Sequence, residues 1–422
     1  MRNIDKILKQ EIELVKLDSF EFNRIRKIAK DFCFDLKKKL DLKGFEADVF
    51  IGGSLAKKTL VKKKVQDVDI FIRFLNKYDS NKISGLLGKV IGKVGERVHG
   101  SRDYFQIVKQ GIVLEIIPVM KIKSAFEAGN ITDLSYFHVN YILKKLKIDS
   151  KLGDEIVLAK TFVHACDCYG AESYINGFSG YALELLICHY GSFLKFVKAV
   201  VKSKISEKIV IDDAGFYKNK KEVLISLNES KLKSPIILID PTFKDRNALA
   251  GLSEETFLKF RKYCFNFLKN PSHEFFKKHE ISEEFEKYNS VKIVQVKTNK
   301  QAGDIAGTKL KKFFRFFCYR LEKDFEIRKK GFDYDEEKNL ANFYFVVNKK
   351  KDEDIRGPPI TALENLKNFK KVHPDAFIKN GFAYFKIKHL LEFKEWFEWF
   401  KEKENKIING MSVKELKQVE QE

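Results

Sequence analysis

A chain of 422 residues, 44% hydrophobic and 13% aromatic, has room for two or three domains with cores of their own, which excludes a disordered chain. Its 80 Lys and Arg against 59 Asp and Glu leave a net charge of +21 and point to a polyanionic partner held through phosphates. No run approaches about 18 apolar residues, the amphipathic start carries acids unlike a secretion signal, and the six scattered cysteines form no C-x-x-C pair, so no membrane partner, disulfide framework or zinc site is expected and the cytoplasm is the expected compartment.

Residues 4 to 40 are predicted helical. Ile4, Ile7, Leu8, Ile12 and Val15 form one apolar stripe, Phe22, Ile25, Ile28, Phe32 and Leu36 a second, and both helices are expected to cover a sheet. That sheet starts with an apolar strand ending at Phe50 and Ile51. A Gly52-Gly53-Ser54 turn, a short basic segment and a second apolar strand carrying Asp67 and Asp69 follow. Residues two apart on a strand share a face, and ionised groups in an apolar run are costly to desolvate unless a cation or a donor meets them.

A helix is predicted over 79–95 and a weakly alternating strand over 103–109. Gly111 to Pro118 then reads as a buried strand interrupted by one carboxylate, Glu115. Paired beside the Asp67 strand, it would bring three carboxylates to one point, a set of hard oxygen ligands that suits Mg²⁺. The glycines of the turn allow backbone N–H groups to close on a phosphate, with the helix N-terminus of the Leu55–Leu60 segment beside them. The alternative reading of these residues is a βαβ unit with acids at its strand ends. Gly-Gly-Ser, an Asp-x-Asp about a dozen residues on and a lone acidic strand residue together resemble the nucleotidyltransferase superfamily of DNA polymerase β.

Beyond a boundary expected near Leu143, Ile156, Leu158, Ala159, Phe162, Val163 and Cys166 have helical spacing up to the Tyr169-Gly170 corner. A nearly wholly apolar helix is predicted from Gly180 to Val200, a hairpin over 208–226, a strand at I-I-L-I-D-P, and a helix over 252–268 capped by Ser253. Past a second boundary near Glu280, strands are predicted over 291–297, 342–348 and 382–388, and helices over 308–329, 362–371 and 389–403, with a frayed end after Gly410. In the first of those helices Phe313, Phe314, Phe316 and Phe317 read mainly as core and the lysines as a solvated basic face open to phosphates.

Y-G-A-E, G-F-S-G-Y-x-L-E-L-L and D-P-T-F-K-D-R-N-A-L-A, in this order, resemble the archaeal class I CCA-adding enzymes, and the similarity extends over the first domain and, more loosely, the last third. The resemblance implies an α+β multidomain fold: a polymerase β-like head over 1–143, a mainly helical middle over 144–280 for nucleotide and base recognition, and an α+β, RRM-like tRNA-binding region over 281–422. It implies template-independent addition of C, C and A to the tRNA 3′ end from CTP and ATP, using two Mg²⁺ ions, with the acceptor stem as partner, and it leaves a homodimer open. Asp67, Asp69 and Glu115 fall at the catalytic, metal-holding positions, though the family commonly has Glu first and Asp third. Gly53, Ser54, Lys57 (in place of the usual Arg), His138, Lys160 and Tyr169 fall at nucleotide-contacting positions, and Arg246 at the position that reads the base edge. Lys309, Lys312, Arg315 and Arg356 are the expected RNA contacts. A poly(A)-type polymerase of the same superfamily and a catalytically silent RNA-binding protein are the alternatives.

Overall fold

The computed structural model describes residues 2–299 and 303–419. It divides into two compact units, Met1–Lys278 and His279–Glu422.

In the first unit, α1 (Arg2–Val15) and α2 (Ser19–Leu42) are separate helices, because the Asp18 carboxylate accepts from the backbone N–H of Glu21 and opens α2. Only α2 covers the sheet as expected, through Ile25, Ile28, Ala29, Leu36 and Leu40. The apolar stripe of α1 goes elsewhere: Ile4 and Leu8 enter the helical core with Ile156 and Phe162, and Glu11 meets His273 at 2.6 Å. Periodicity gives a helix an apolar face but does not say which neighbour covers it.

The sheet contains β1 (Ala47–Ile51), β2 (Gln66–Phe74), β3 (Glu96–Val98), β4 (Tyr104–Lys109) and β5 (Ile112–Met120), ordered β1-β2-β5-β4-β3. The short helix α3 (Gly53–Lys57) links the first two strands, and α4 (Ile83–Ile91) packs beside α2. β4 and β5 form a hairpin whose Gln110-Gly111 turn has positive φ at both residues. β2 and β5 run parallel, with Val68, Ile70, Ile72, Leu114 and Ile116 filling the core under α2 and α4. The opposite face carries the acids.

A second core gathers α5 (Ser135–Ile148), α6 (Leu152–Ala165), α7 (Gly180–Tyr190), α8 (Phe193–Lys202) and α11 (Glu254–Lys269). The helix predicted from Gly180 to Val200 is two helices: Gly191, at φ +75°, ends α7, and Ser192 accepts from Lys195 N–H to start α8. The G-F-S-G-Y turn also gains an account. Phe178 N–H pairs with the Cys168 carbonyl at 2.8 Å, a Cβ on Gly177 would strike that carbonyl, Ser179 caps α7, and a Cβ on Gly180 would stand 2.7 Å from the Tyr169 hydroxyl oxygen.

The hairpin expected over 208–226 is absent. β6 (Ile209–Ile211) pairs parallel with β7 (Ile236–Asp240), which pairs antiparallel with β8 (Phe243–Asn247). The intervening segment forms α9 (Lys220–Ser226), started by the Asn219 cap, and the short α10 (Glu229–Leu232). A side-chain cap and a distant, fully buried strand outcompete the local turn. The predicted helix over 252–268 is α11, with Ser253 accepting from Thr256 N–H.

In the second unit, after α12 (Glu283–Glu286), the order is β9 (Lys292–Thr298), α13 (Gly303–Leu321), β10 (Phe325–Asp335), β11 (Leu340–Lys349), β12 (Glu353–Pro359), α14 (Leu363–Val372), β13 (Phe377–Lys379), β14 (Phe382–Ile387), α15 (Phe393–Lys403), α16 (Asn405–Gly410) and β15 (Val413–Val419). Four strands form an antiparallel sheet, β10-β11-β9-β15, and three form a smaller one, β12-β14-β13. The helix predicted to reach Lys329 stops at Leu321, because 325–335 is claimed by ladder pairing with β11. The end expected to fray after Gly410 instead supplies the edge strand β15. Phe313, Phe314 and Phe317 are core residues, packed with Phe343, Trp396 and Phe400. Among the described residues no helix is long and apolar enough to cross a membrane.

Candidate active site

Parallel pairing of β2 with β5 puts Asp69 opposite Glu115 and leaves Asp67 two residues away on the same face. The adjoining turn is tied to this edge, since Gly52 N–H donates to the Asp69 carbonyl at 2.9 Å. Gly53 has φ +53°, and a Cβ there would lie 1.6 Å from Asp69 Oδ2, so only glycine lets the backbone pass over the carboxylate. Burial first, then the charge of Asp67, raises the Asp69 pKa against the pull of Lys57 and Lys160. Glu115 is pushed up to about 7, by burial first and by Asp69 next, although Gln106 donates to it at 2.9 Å. Asp67 is exposed and meets Lys63 at 3.0 Å. The expected convergence of three acids is therefore an open edge: two carboxylates face each other across the strands and the third stands one step outward. Among the described residues no three His, Cys, Asp or Glu groups form a ready-made metal cluster. The chemistry of this edge still suits a divalent cation, because two desolvated like charges each gain from a shared counter-ion.

These acids line one side of a cavity of about 470 Å³ that also meets Gly53, Ser54, Lys57, Thr59, Lys160, His164, Tyr169, Tyr181 and Glu184. Ser54 and Lys57 lie on α3, Lys160 on α6 and Glu184 on α7. The Lys57 ammonium lies 2.6 Å from Glu184 Oε2 and the Lys160 ammonium 2.9 Å from Oε1, while Lys160 also donates to Thr59 Oγ1 at 3.1 Å. Burial opposes ionisation of Glu184, but Lys160 and Lys57 outweigh it and hold the carboxyl below its usual range. Burial lowers the Lys160 pKa. Tyr169 stacks on His164 with centroids 3.7 Å apart; burial raises the phenol and depresses the imidazole to about 4, keeping both neutral at physiological pH.

His138 and Arg246 meet at a different carboxylate. Asp240 Oδ2 accepts from Arg246 Nη1 at 2.6 Å and pairs with His138 Nε2 at 2.9 Å, while Oδ1 accepts from the Tyr181 hydroxyl at 3.1 Å and from Thr242 N–H at 2.8 Å. Burial opposes its charge, yet His138, Arg246 and Thr242 N–H hold Asp240 well below the ordinary carboxylate range. Burial lowers the His138 pKa despite that pairing. Tyr181 joins the two groups: it lines the cavity, its ring stacks on His138 at 3.9 Å, and the Arg246 guanidinium lies 5.8 Å from its ring centre.

Of the expected site residues, Gly53, Ser54, Lys57, Asp67, Asp69, Glu115, Lys160 and Tyr169 therefore line one cavity, and His138 and Arg246 adjoin it through Tyr181. The expected RNA contacts lie in the second unit. Lys309 donates to Ser412 Oγ at 3.3 Å, Lys312 and Arg315 are exposed on α13, and Arg356 sits 3.5 Å over the Phe382 ring. Sequence reasoning missed Glu184, Asp240, Tyr181 and Thr59. The first had a visible signal, a lone carboxylate in an apolar helical run, which is the reasoning that marked Asp69.

Residues 154–277 match the family model described as tRNA nucleotidyltransferase, second domain. The chain is 34% identical to the CCA-adding enzyme of Nanoarchaeum equitans, over 79% of this chain and 81% of that protein. It is 27% identical to the CCA-adding enzyme of Methanocaldococcus jannaschii, over 90% and 87%. Among solved structures, a cytoplasmic RNA terminal U-transferase superimposes with a TM-score of 0.51 at 14% identity, covering 67% of this chain and all of the other. The Cid1 poly(U) polymerase gives 0.51 at 13% identity, over 65% and 98%. The solved structures show a shared mixed α+β fold, and the extended identity to the archaeal relatives goes further: this chain belongs to the CCA-adding enzyme family.

Proposed function

We propose that this chain adds C, C and A in turn to the 3′ end of tRNA, taking CTP and ATP and releasing pyrophosphate, without a template. The observation that carries the reading is the cavity itself, in which cross-strand acids face two buried lysines beneath a glycine turn, in a chain of this family. Asp67, Asp69 and Glu115 are the residues that would hold divalent cations, two Mg²⁺ ions in this reading, which supply the charge that activates the RNA 3′-hydroxyl and steadies the leaving oxygen. Lys57 and Lys160 offer point charges to the triphosphate, Ser54 a hydroxyl beside the turn, and Tyr169 a phenol donor that Gly180 leaves room for. His138 and Arg246, oriented by Asp240, are the donors for the base and ribose end, and an arginine fork can meet a base edge and a phosphate together.

The rest of the chain serves the same reading. The head over 1–143 carries out transfer, the middle over 144–280 recognises the nucleotide, and the region over 281–422 holds tRNA. Support for an RRM-like module comes from the strand order β10-β11-β9-β15, with α13 after the first strand and α15 before the last, and the net charge of +21 favours a long phosphate contact. Lys309, Lys312, Arg315 and Arg356 are its contacts with RNA. Six free cysteines fit a cytoplasmic protein.

The test uses unmodified tRNA transcripts lacking their last three residues. Incubated with protein, CTP, ATP and Mg²⁺ and then sequenced at the 3′ end, they gain CCA, and with ATP alone they gain nothing. Runs of A in place of CCA would instead identify a poly(A)-type polymerase, and unextended RNA that is still bound would identify a silent RNA-binding protein.

A further inference from the structure

Glu184 is 1% exposed, yet it reaches the cavity through which substrate phosphates would pass. Its two oxygens are divided, Oε2 to Lys57 and Oε1 to Lys160, and those lysines are themselves only 8% and 5% exposed. The three come from three elements, α3, α6 and α7. Two ammonium groups this close in a desolvated wall repel each other, and both the burial and the charge of Lys57 weaken the protonation of Lys160. Asp69 on β2 also acts on the pair, Asp67, Glu115 and Glu172 line the same cavity, and neutral Thr59, Tyr169 and His164 stand around them. Among the described residues, only Glu184 makes an ion pair with both lysines.

Resting on the function proposed above, we infer that Glu184 is a positioning residue for the triphosphate: one carboxylate oxygen on each ammonium holds Lys57 and Lys160 side by side in the wall of the cavity. The two lysines and one carboxylate sum to a net +1, so the wall stays attractive to phosphates while neither lysine has to find a partner in solvent. Because the trio bonds within itself and to Thr59, while His138 and Arg246 pair with Asp240 instead, its effect is blind to the base. Loss of Glu184 therefore weakens CTP and ATP alike.

Steady-state CCA addition to truncated tRNA, with CTP and ATP varied separately, tests this in wild type, Glu184→Gln and Glu184→Asp. Glu184→Gln raises KM for both nucleotides by the same factor, about tenfold or more, and leaves kcat and the KM for tRNA within about threefold. Glu184→Asp, with its charge kept but drawn back by one carbon, falls between the two. Equilibrium binding of inorganic pyrophosphate without RNA weakens in the same order. An unchanged KM, a loss confined to kcat, or unequal effects on CTP and ATP would overturn the assignment. If the Gln variant does not fold, the Asp variant decides by the same criteria. Should wild type extend no tRNA, the proposed function fails, and the pyrophosphate binding still decides the role of Glu184.

Discussion

Four buried or half-buried carboxylates divide into two pairs with opposite behaviour. Burial disfavours the charge of each, but Asp69 and Glu115 have raised pKa values while Glu184 and Asp240 have lowered ones. The difference is company. Glu184 holds two lysines and Asp240 holds an arginine and a histidine at hydrogen-bond distance, whereas the nearest acidic neighbour of Glu115 is Asp69 itself, directly across the ladder. The chain thus satisfies the acids that organise its walls and leaves those at the strand edge short of positive charge. Acids short of positive charge at one edge suit a cation-dependent site, while the satisfied pair holds the lysines, the arginine and the histidine by direct ion pairs.

The contrast is broken most severely at its acidic edge. Asp69→Asn removes the central carboxylate without changing its size, and nucleotide transfer falls about 10³-fold or more while tRNA binding, measured by filter retention, persists. Gly53→Ala attacks the same edge from the turn, because the new methyl would occupy the place of Asp69 Oδ2; transfer falls about 10²-fold, read by primer extension at saturating nucleotide.

At the satisfied pair the loss appears as stability. Asp240→Ala leaves His138, Arg246 and the Tyr181 hydroxyl without their common acceptor, and unfolding free energy drops by about 3–5 kcal/mol, measured by denaturant titration. The sign with pH follows from the lowered pKa: Asp240 stabilises the fold above the ordinary carboxylate range, and that contribution is lost as pH falls below it.

The smallest effect sharpens the comparison by reversing the sign. The folded-state pKa of Glu115, about 7, stands above its ordinary 4.5, so its contribution to stability is complete below that lower value and is lost as pH rises through about 7. In metal-free buffer, thermal midpoints across this window decline less steeply for Glu115→Gln than for wild type. Equal slopes would mean that the carboxyl titrates normally and that the edge is not short of positive charge.

Much of this was open to reading in the linear chain where the relevant signal is local. The Gly-Gly-Ser turn, the alternation around Asp67 and Asp69, and the Ser253 cap depend on residues within a turn or a strand of one another, and each lies where the pattern puts it. The misreadings share a physical cause as well. The helix over 180–200 breaks at one positive-φ glycine, the segment over 220–226 is drawn into a helix by its Asn219 cap, and 325–335 forms a strand because β11 offers a ladder.

What the sequence by itself determined, then, is which carboxylates sit in apolar runs and which glycines turn beside them, since desolvation and backbone freedom belong to each residue and its immediate neighbours. Tertiary structure alone decided their partners. Glu184 lies 127 positions from Lys57, and Asp240 lies 102 from His138. Whether a buried acid is neutralised or left wanting a cation depends on charges a few ångströms away in space, which only the folded chain brings together.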